Sequence, residues 1–324
     1  MQSAHTIYRF EFRGYQRRFK SPLHTSHGVW EVREGIIVRL VDGDGEASYG
    51  EIAPMSWFGS ETVQQAQDFC KQLPQNLTLE TILAIPDHLP ACQFGFESAL
   101  MLGELTRDRT NDYSGLLPAG KAALSTWRCL WEQGYRTFKW KIGVEPITDE
   151  LAVFAELIRC LPASAKLRLD ANAGLSCEQA HVWLQMCDRI LSTQTEIIEY
   201  LEQPLPVAQF AAMLELSRIY KCAIALDESV ATLQQLQQCY HKGWRGIFVV
   251  KPAIVGFPSR LRQFCRQYRI DAVFSSVFET EIGKHAALHL AGELASSHRA
   301  LGFGVDHLFA REDSHWLEEL WITR

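Results

Sequence analysis

The chain has 324 residues, 47% hydrophobic and 22% charged, with a formal net charge of −6; this is about two domains' worth of an ordinary globular protein. Acids and bases are interspersed without a basic stripe, which argues against a nucleic-acid partner. No apolar run approaches the roughly 18 residues of a membrane span, the N-terminal stretch lacks an apolar signal core, and nine cysteines without a CxxC pair read as reduced core thiols of a cytoplasmic protein.

Residues 5–20 alternate around Ile7, Phe10 and Phe12 and predict a strand. A polar loop, SPLHTSHGVWE, follows with His24, His27 and Trp30. GIIVRLVDGDGEASYGEI predicts a hairpin turning at Asp42-Gly43-Asp44-Gly45. A calcium loop also starts D-x-D-G, but its twelfth position here is Ala53, so the hairpin is preferred. A second loop, PMSWFGSETV, leads into a helix from Thr62, which with Gln65 fits a capping box, and another helix begins near Cys92. Residues 1–95 are expected to form a small α+β domain.

From about Ser114 strands and helices alternate. Strands are expected at LLPA, TFKWKI, KLRLDAN, EYLEQPL, AIALDES, GIFVVKP, DAVFSSVF and ALGFGV, with helices between them, among them 176–190 capped by Ser176. Eight strands with seven intervening helices predict a parallel α/β barrel over residues 96–305. The tail, 306–324, has no assigned barrel role and is expected to pack back on the first domain.

Five of these strands end in charge. Lys139 and Lys141 share one strand face, and Asp170, Glu202, Asp227 and Lys251 follow at intervals of roughly 24–32 residues, about one strand–helix–strand unit each. In a barrel those ends meet on the catalytic face. Three carboxylates there repel one another and call for a cation; all-oxygen ligation without His or Cys suits Mg²⁺ rather than zinc. The lysines either pair with these acids or do acid–base chemistry, Lys139 being placed to lower the affinity of Lys141 for its proton.

KWK (139–141), LDAN (169–172), EQPL (202–205), LDES (226–229) and VVKPAIVG (249–256) resemble the enolase superfamily, muconate-lactonizing subgroup. GEIAP (50–54), FGFESAL (94–100) and SSVFETEIG (275–283) extend the resemblance over nearly the whole chain and are most similar to the branch that makes o-succinylbenzoate. The resemblance implies an enolase-like fold, a (β/α)7β TIM-like barrel under an N-terminal α+β capping domain. It implies Mg²⁺, with Mn²⁺ as a substitute, on Asp170, Glu202 and Asp227. It implies Lys141 as base and then acid, Lys251 as the cation holding an enediolate, and Lys139 as the residue tuning Lys141. Ser275, Ser276, Thr25 and Trp57 are then expected to shape the substrate cavity. The implied reaction is dehydration of a succinyl-hydroxycyclohexadiene carboxylate in menaquinone or phylloquinone synthesis.

The alternative is racemisation of N-acylamino acids or epimerisation of dipeptides by two opposed lysines. Dipeptide epimerases of the subgroup carry an Asp-x-Asp pair near the last strand, whereas GFGVDHL here has Asp306 alone. A barrel used only for binding has no need of both lysines. His285 and His289 read as an ordinary helix face, and the Gly302-x-Gly304 pair lacks the third glycine and following helix of a dinucleotide loop.

Overall fold

The structure is a computed structural model describing residues 6–25, 28–101, 112–193, 197–295, 299–310 and 315–322. Strands β1 (Ile7–Thr25), β2 (Gly28–Val41), β3 (Ala47–Ile52) and β4 (Asn76–Thr78) form an antiparallel sheet in the order β3-β2-β1-β4. The β2–β3 turn is held by Asp42, whose Oδ1 accepts the Asp44 and Glu46 N–H groups, each at 3.0 Å, while Gly45 takes φ 85°. The stretch around His24 and Trp30, expected as a loop, is strand instead: Leu23 pairs with Trp30 and His24 with Val29. Its composition misleads because Pro22 falls in the ladder irregularity between Arg18 and Leu23, where no donor is needed. His27 lies outside the described residues.

Helix α1 (Val63–Gln72) starts at the Thr62/Gln65 capping box, then come α2 (Leu79–Leu83) and α3 (Pro90–Ala99). All ten residues of α3 are buried, because it lies between the sheet and the second unit. A Cβ on Gly50 of β3 would meet the Gly95 carbonyl of α3 at 1.9 Å, so glycine is what allows these backbones to touch.

The second unit is a parallel sheet of β5 (Ser114–Leu117), β6 (Thr137–Lys141), β7 (Lys166–Asp170), β8 (Ile198–Glu202), β9 (Ile224–Leu226), β10 (Ile247–Val250) and β11 (Ala272–Phe274), in chain order. Between and after them run α4 (Ala123–Glu132), α5 (Ile147–Cys160), α6 (Cys177–Leu191), α7 (Phe210–Ile219), α8 (Leu233–His241), α9 (Pro252–Val255), α10 (Pro258–Tyr268) and α11 (Glu281–Leu294). The expected eighth strand is reduced to two bridges, Leu301 to Tyr113 and Gly302 to Ser275, which close the ring between β5 and β11. Gly302 N donates to Phe274 O at 2.8 Å and Ser114 N to Leu301 O at 2.9 Å. A side chain at Gly302 would strike Ser275 Oγ at 2.5 Å, which keeps this segment narrow.

Alternation sorts the barrel strands into two faces. Phe138, Trp140, Leu167 and Leu169 pack outward toward the helices, with Trp140 and Phe154 set edge-on to Trp183. Tyr200, Ala225, Ile247, Val249 and Val273 form a separate apolar cluster inside. Residues two positions further along those inner faces are Glu202, Asp227 and Lys251. The closing helix α12 (Trp316–Ile322) lays Trp321 against the guanidinium groups of Arg13 and Arg39, at 5.0 and 5.4 Å. Among the described residues no helix is long and apolar enough to cross a membrane.

The N-terminal end of the barrel is plugged by an ion-pair network. Arg168, 1% exposed, donates to Glu199 at 2.6 Å and to Ala300 O at 2.7 Å, and Arg299 joins Glu199 to Asp271. Removing Arg168 would leave buried Glu199 with Arg299 alone as its ion-pair partner among the described residues. Arg168→Met is expected to lower unfolding stability by about 3 kcal/mol, read as a drop in the urea midpoint at unchanged slope.

Candidate active site

Each charged strand end arrives at the mouth because its alternation register is set by the apolar layer beneath it. Lys141, Asp170 and Glu202 are direct neighbours across β6, β7 and β8, and Asp227 and Lys251 are the residues immediately after β9 and β10. Asp170 and Glu202 are fully buried, Asp227 nearly so. Lys139 Nζ lies 2.8 Å from both Asp170 Oδ2 and Glu202 Oε1, and Lys141 Nζ lies 2.6 Å from Asp170 Oδ2. Lys141 also donates to Asn172 Oδ1, and Lys251 to Asp227 Oδ1. The geometry thus brings together all six residues singled out as metal ligands or catalytic lysines.

Electrostatics of the cluster follow from burial and crowding. Burial, then repulsion from Asp170, pushes the Glu202 carboxyl up to about 7. Burial also raises Asp227 and Glu228. Burial acts upward on Asp170 too, but the ammonium groups of Lys139 and Lys141 overcome it and hold this group below the usual carboxylate range. Burial favours a neutral Lys139, yet Asp170, Glu202 and Asp227 outweigh it and keep the ammonium charged.

Four contributors were not singled out from sequence. Gln203, buried with φ 34°, accepts the Asp227 and Ser229 N–H groups on Oε1 at 3.0 and 3.2 Å and donates to Ser229 Oγ and Leu205 O, so it sets the turn that presents Asp227. Asn172, with φ 42°, links Lys141 to Glu228 through its amide, donating to Glu228 Oε1 at 3.1 Å. Glu228 adds a fourth acid. Phe58, from the loop after β3, places its ring 3.9 Å from Lys251 Nζ. An amide one or two residues after Glu202 and Asp170, and a second acid beside Asp227, were available signals for the first three; nothing in the sequence announces Phe58.

The expected substrate residues are less uniform. The Ser276 hydroxyl donates to Glu279 at 2.8 Å and accepts from Phe278 N at 2.8 Å, so it is committed to its own loop. Ser275 Oγ lies 3.3 Å from Gly302 O. Trp57 is 40% exposed and sits edge-on to Trp30 at 4.7 Å. Thr25 ends β1, and its side chain lies outside the described residues. A groove of about 490 Å³ on the barrel's outer wall, bordered by α8 and α10, shares no residue with this cluster.

The donor set fits a hard divalent cation. Glu202 Oε2 and Glu228 Oε2 are buried without a hydrogen-bond partner, and the acids are all oxygen donors. Among the described residues no three acids already stand grouped around a common point; Lys139 and Lys141 contact Asp170, Lys139 also contacts Glu202, and Lys251 contacts Asp227.

Comparison with known proteins gives one consistent picture. The family described as enolase C-terminal domain-like matches residues 123–320, and that described as MenC, N-terminal domain, matches residues 5–102. An o-succinylbenzoate synthase of Thermosynechococcus vestitus is 43% identical over 304 residues, 92% of each chain. The crystal structure of o-succinylbenzoate synthase from Thermosynechococcus elongatus BP-1, complexed with Mg in the active site, superposes with a TM-score of 0.90 at 41% identity, covering 97% of this chain and 99% of that one. The L-Ala-D/L-Glu epimerase of Bacillus subtilis, 20% identical over 94% of this chain and 91% of its own, shares the fold at a TM-score of 0.77.

Binding of a divalent cation to the folded state alone should stabilise it. Mg²⁺ at a hundred times its Kd is expected to add about 2.7 kcal/mol to unfolding stability. Glu202→Gln should remove most of that increment, and calorimetric melts with and without Mg²⁺ measure both.

Proposed function

The chain belongs to the enolase superfamily and, within it, to the o-succinylbenzoate synthases, and on that premise we propose how its cluster works. The enzyme is a hydro-lyase. It dehydrates 2-succinyl-6-hydroxy-2,4-cyclohexadiene-1-carboxylate to o-succinylbenzoate, a step of menaquinone or phylloquinone synthesis. Asp170, Glu202 and Asp227 hold Mg²⁺, or Mn²⁺ in its place, and the ion supplies Lewis-acid stabilisation of the charge that develops on the substrate carboxylate.

Everything else falls to side chains. Lys141 takes the proton from the carbon bearing the carboxylate. The electron pair left behind delocalises into that carboxylate, then returns to form the ring double bond as the C–O bond at the hydroxyl-bearing carbon breaks. Lys141 returns its proton to the departing hydroxyl, which leaves as water, so the base is regenerated and no net proton is consumed. Lys251 faces the delocalised charge as a fixed ammonium. Lys139, pinned between Asp170 and Glu202, keeps Asp170 ionised and lends its positive charge to the surroundings of Lys141. The Trp57 and Trp30 rings, with Thr25 at the end of β1 and Ser275 after β11, are the residues proposed to border the succinyl arm. Nine free thiols support a cytoplasmic setting.

One observation carries the choice of a one-sided lyase. The Lys141 side chain is 40% exposed, whereas that of Lys251 is 9% exposed, held by Asp227 and covered by Phe58. A proton carrier needs access; a fixed charge does not.

Lys141→Ala is expected to lower kcat by at least a thousandfold, since it removes both base and acid, while product binding measured by calorimetry persists. A variant keeping a tenth of the wild-type rate would place the base elsewhere. In D₂O, the wild type should dehydrate the cyclohexadiene rapidly, seen as ultraviolet absorbance of the new aromatic ring. It should put little deuterium into the α-position of N-succinylamino acids or dipeptides. Exchange into both enantiomers without dehydration would instead assign a racemase or epimerase.

A further inference from the structure

The GEIAP and SSVFETEIG segments, far apart in sequence, meet at one buried carboxylate. Glu51, fully buried near the end of β3, sits over the first turn of α11. It accepts the Thr280 N–H at 2.9 Å and the Gly283 N–H at 2.9 Å, and also the hydroxyls of Thr280 and Tyr15. The N–H groups of a helix start have no partner within the helix, and here two of them are satisfied by Glu51. Gly283 makes the seat possible: a Cβ at that position would stand 2.8 Å from Glu51 Oε2.

The strand continues from Glu51 directly into the loop that covers the mouth. Pro54 O accepts from Arg33 at 2.8 Å, and the same guanidinium reaches Val277 O at 3.0 Å, so the start of the loop is tied to the barrel as well. Met55 N donates to Ser60 Oγ at 2.7 Å and Phe58 N to Met55 O at 2.9 Å, which closes the loop into a compact turn. Gly59, with φ 121°, lies where an added Cβ would stand 3.3 Å from the Ala231 Cβ, so glycine fits this close turn. The tip of this rigid lever is the Phe58 ring on Lys251.

We propose that Glu51 is a positioning residue: its bond to the start of α11 fixes the loop after β3 so that Phe58 holds the Lys251 ammonium in its working place. The proposal rests on the reading of Lys251 as the fixed cation of the dehydration. Glu51 touches neither Lys251 nor the acid cluster and acts only through Phe58, so its loss and that of Phe58 must have one shared consequence.

A double-mutant cycle on dehydration tests this, with Glu51→Gln, Phe58→Leu and the double variant assayed well below their melting temperatures. Each single change is expected to lower kcat about tenfold with a smaller change in KM. The double variant should also lose about tenfold, because the second change finds nothing left to remove. Gly283→Ala, which displaces the Glu51 carboxylate without touching its charge, replaces Glu51→Gln in the same cycle if that variant does not fold. A loss of about a hundredfold in the double variant, or a Glu51 variant with a lower melting temperature and wild-type kcat, would overturn the positioning role. Wild type is assayed first: failure to dehydrate the cyclohexadiene overturns the functional reading itself, a result distinct from an additive cycle.

Discussion

Four carboxylates share a dry barrel mouth, and the surrounding structure is arranged around their repulsion. Two unit charges about 4 Å apart cost about 4 kcal/mol even at an effective dielectric of 20, so Asp170, Glu202, Asp227 and Glu228 cannot all stand ionised without cations. Lys139, Lys141 and Lys251 provide three positive charges against four negative ones. The shortfall surfaces at Glu202, whose carboxyl is pushed up to about 7 and whose Oε2 has no partner. A divalent ion on these acids would offset the shortfall.

Much of this was legible in the chain itself. Strict alternation carried Lys139 and Lys141 to one face, and the even spacing of charged strand ends carried five strands to one mouth, because a parallel barrel leaves each strand end few other places to go. What alternation cannot report is a partner brought near by tertiary folding. Gln203 looks like one more polar turn residue until Asp227 and Ser229 are seen donating to it across 24 and 26 residues. Phe58 reads as a loop aromatic because its partner lies on the far side of the chain. Pro22 and the polar residues after it argued for a loop locally, and cross-strand pairing overrode them. Ser276 points the same way: a hydroxyl at a strand end suggests a ligand contact, but Glu279 and Phe278 N had already claimed it.

The two parts of the chain are mutually dependent. The barrel supplies every titrating group of the cluster, but it leaves Lys251 open on the side that faces the first domain. Among the described residues that domain contributes no acid or base to the cluster; it brings a ring to one lysine and leaves the other 40% exposed. Phe19, Trp30, Phe278 and Phe309 form an aromatic pile joining β1, β2, the loop after β11 and the C-terminal segment, with ring centroids 4.5–5.7 Å apart, so the cover is packed against the barrel rather than hung from a single hinge.

From this asymmetry follows the direction of the chemistry. A symmetric cluster, with both lysines equally free, can pass a proton in at one face of a carbon and out at the other. Here the carboxylate below Lys251 and the aromatic ring beside it both favour a charged nitrogen that stays where it is, whereas Lys141 is bordered by an amide, a carboxylate due to be taken by the cation, and open space. One face then handles the proton twice, and the other handles only charge. Elimination of water from a single face is compatible with that division of labour, and one of the two groups holding Lys251 is a phenylalanine from the other domain.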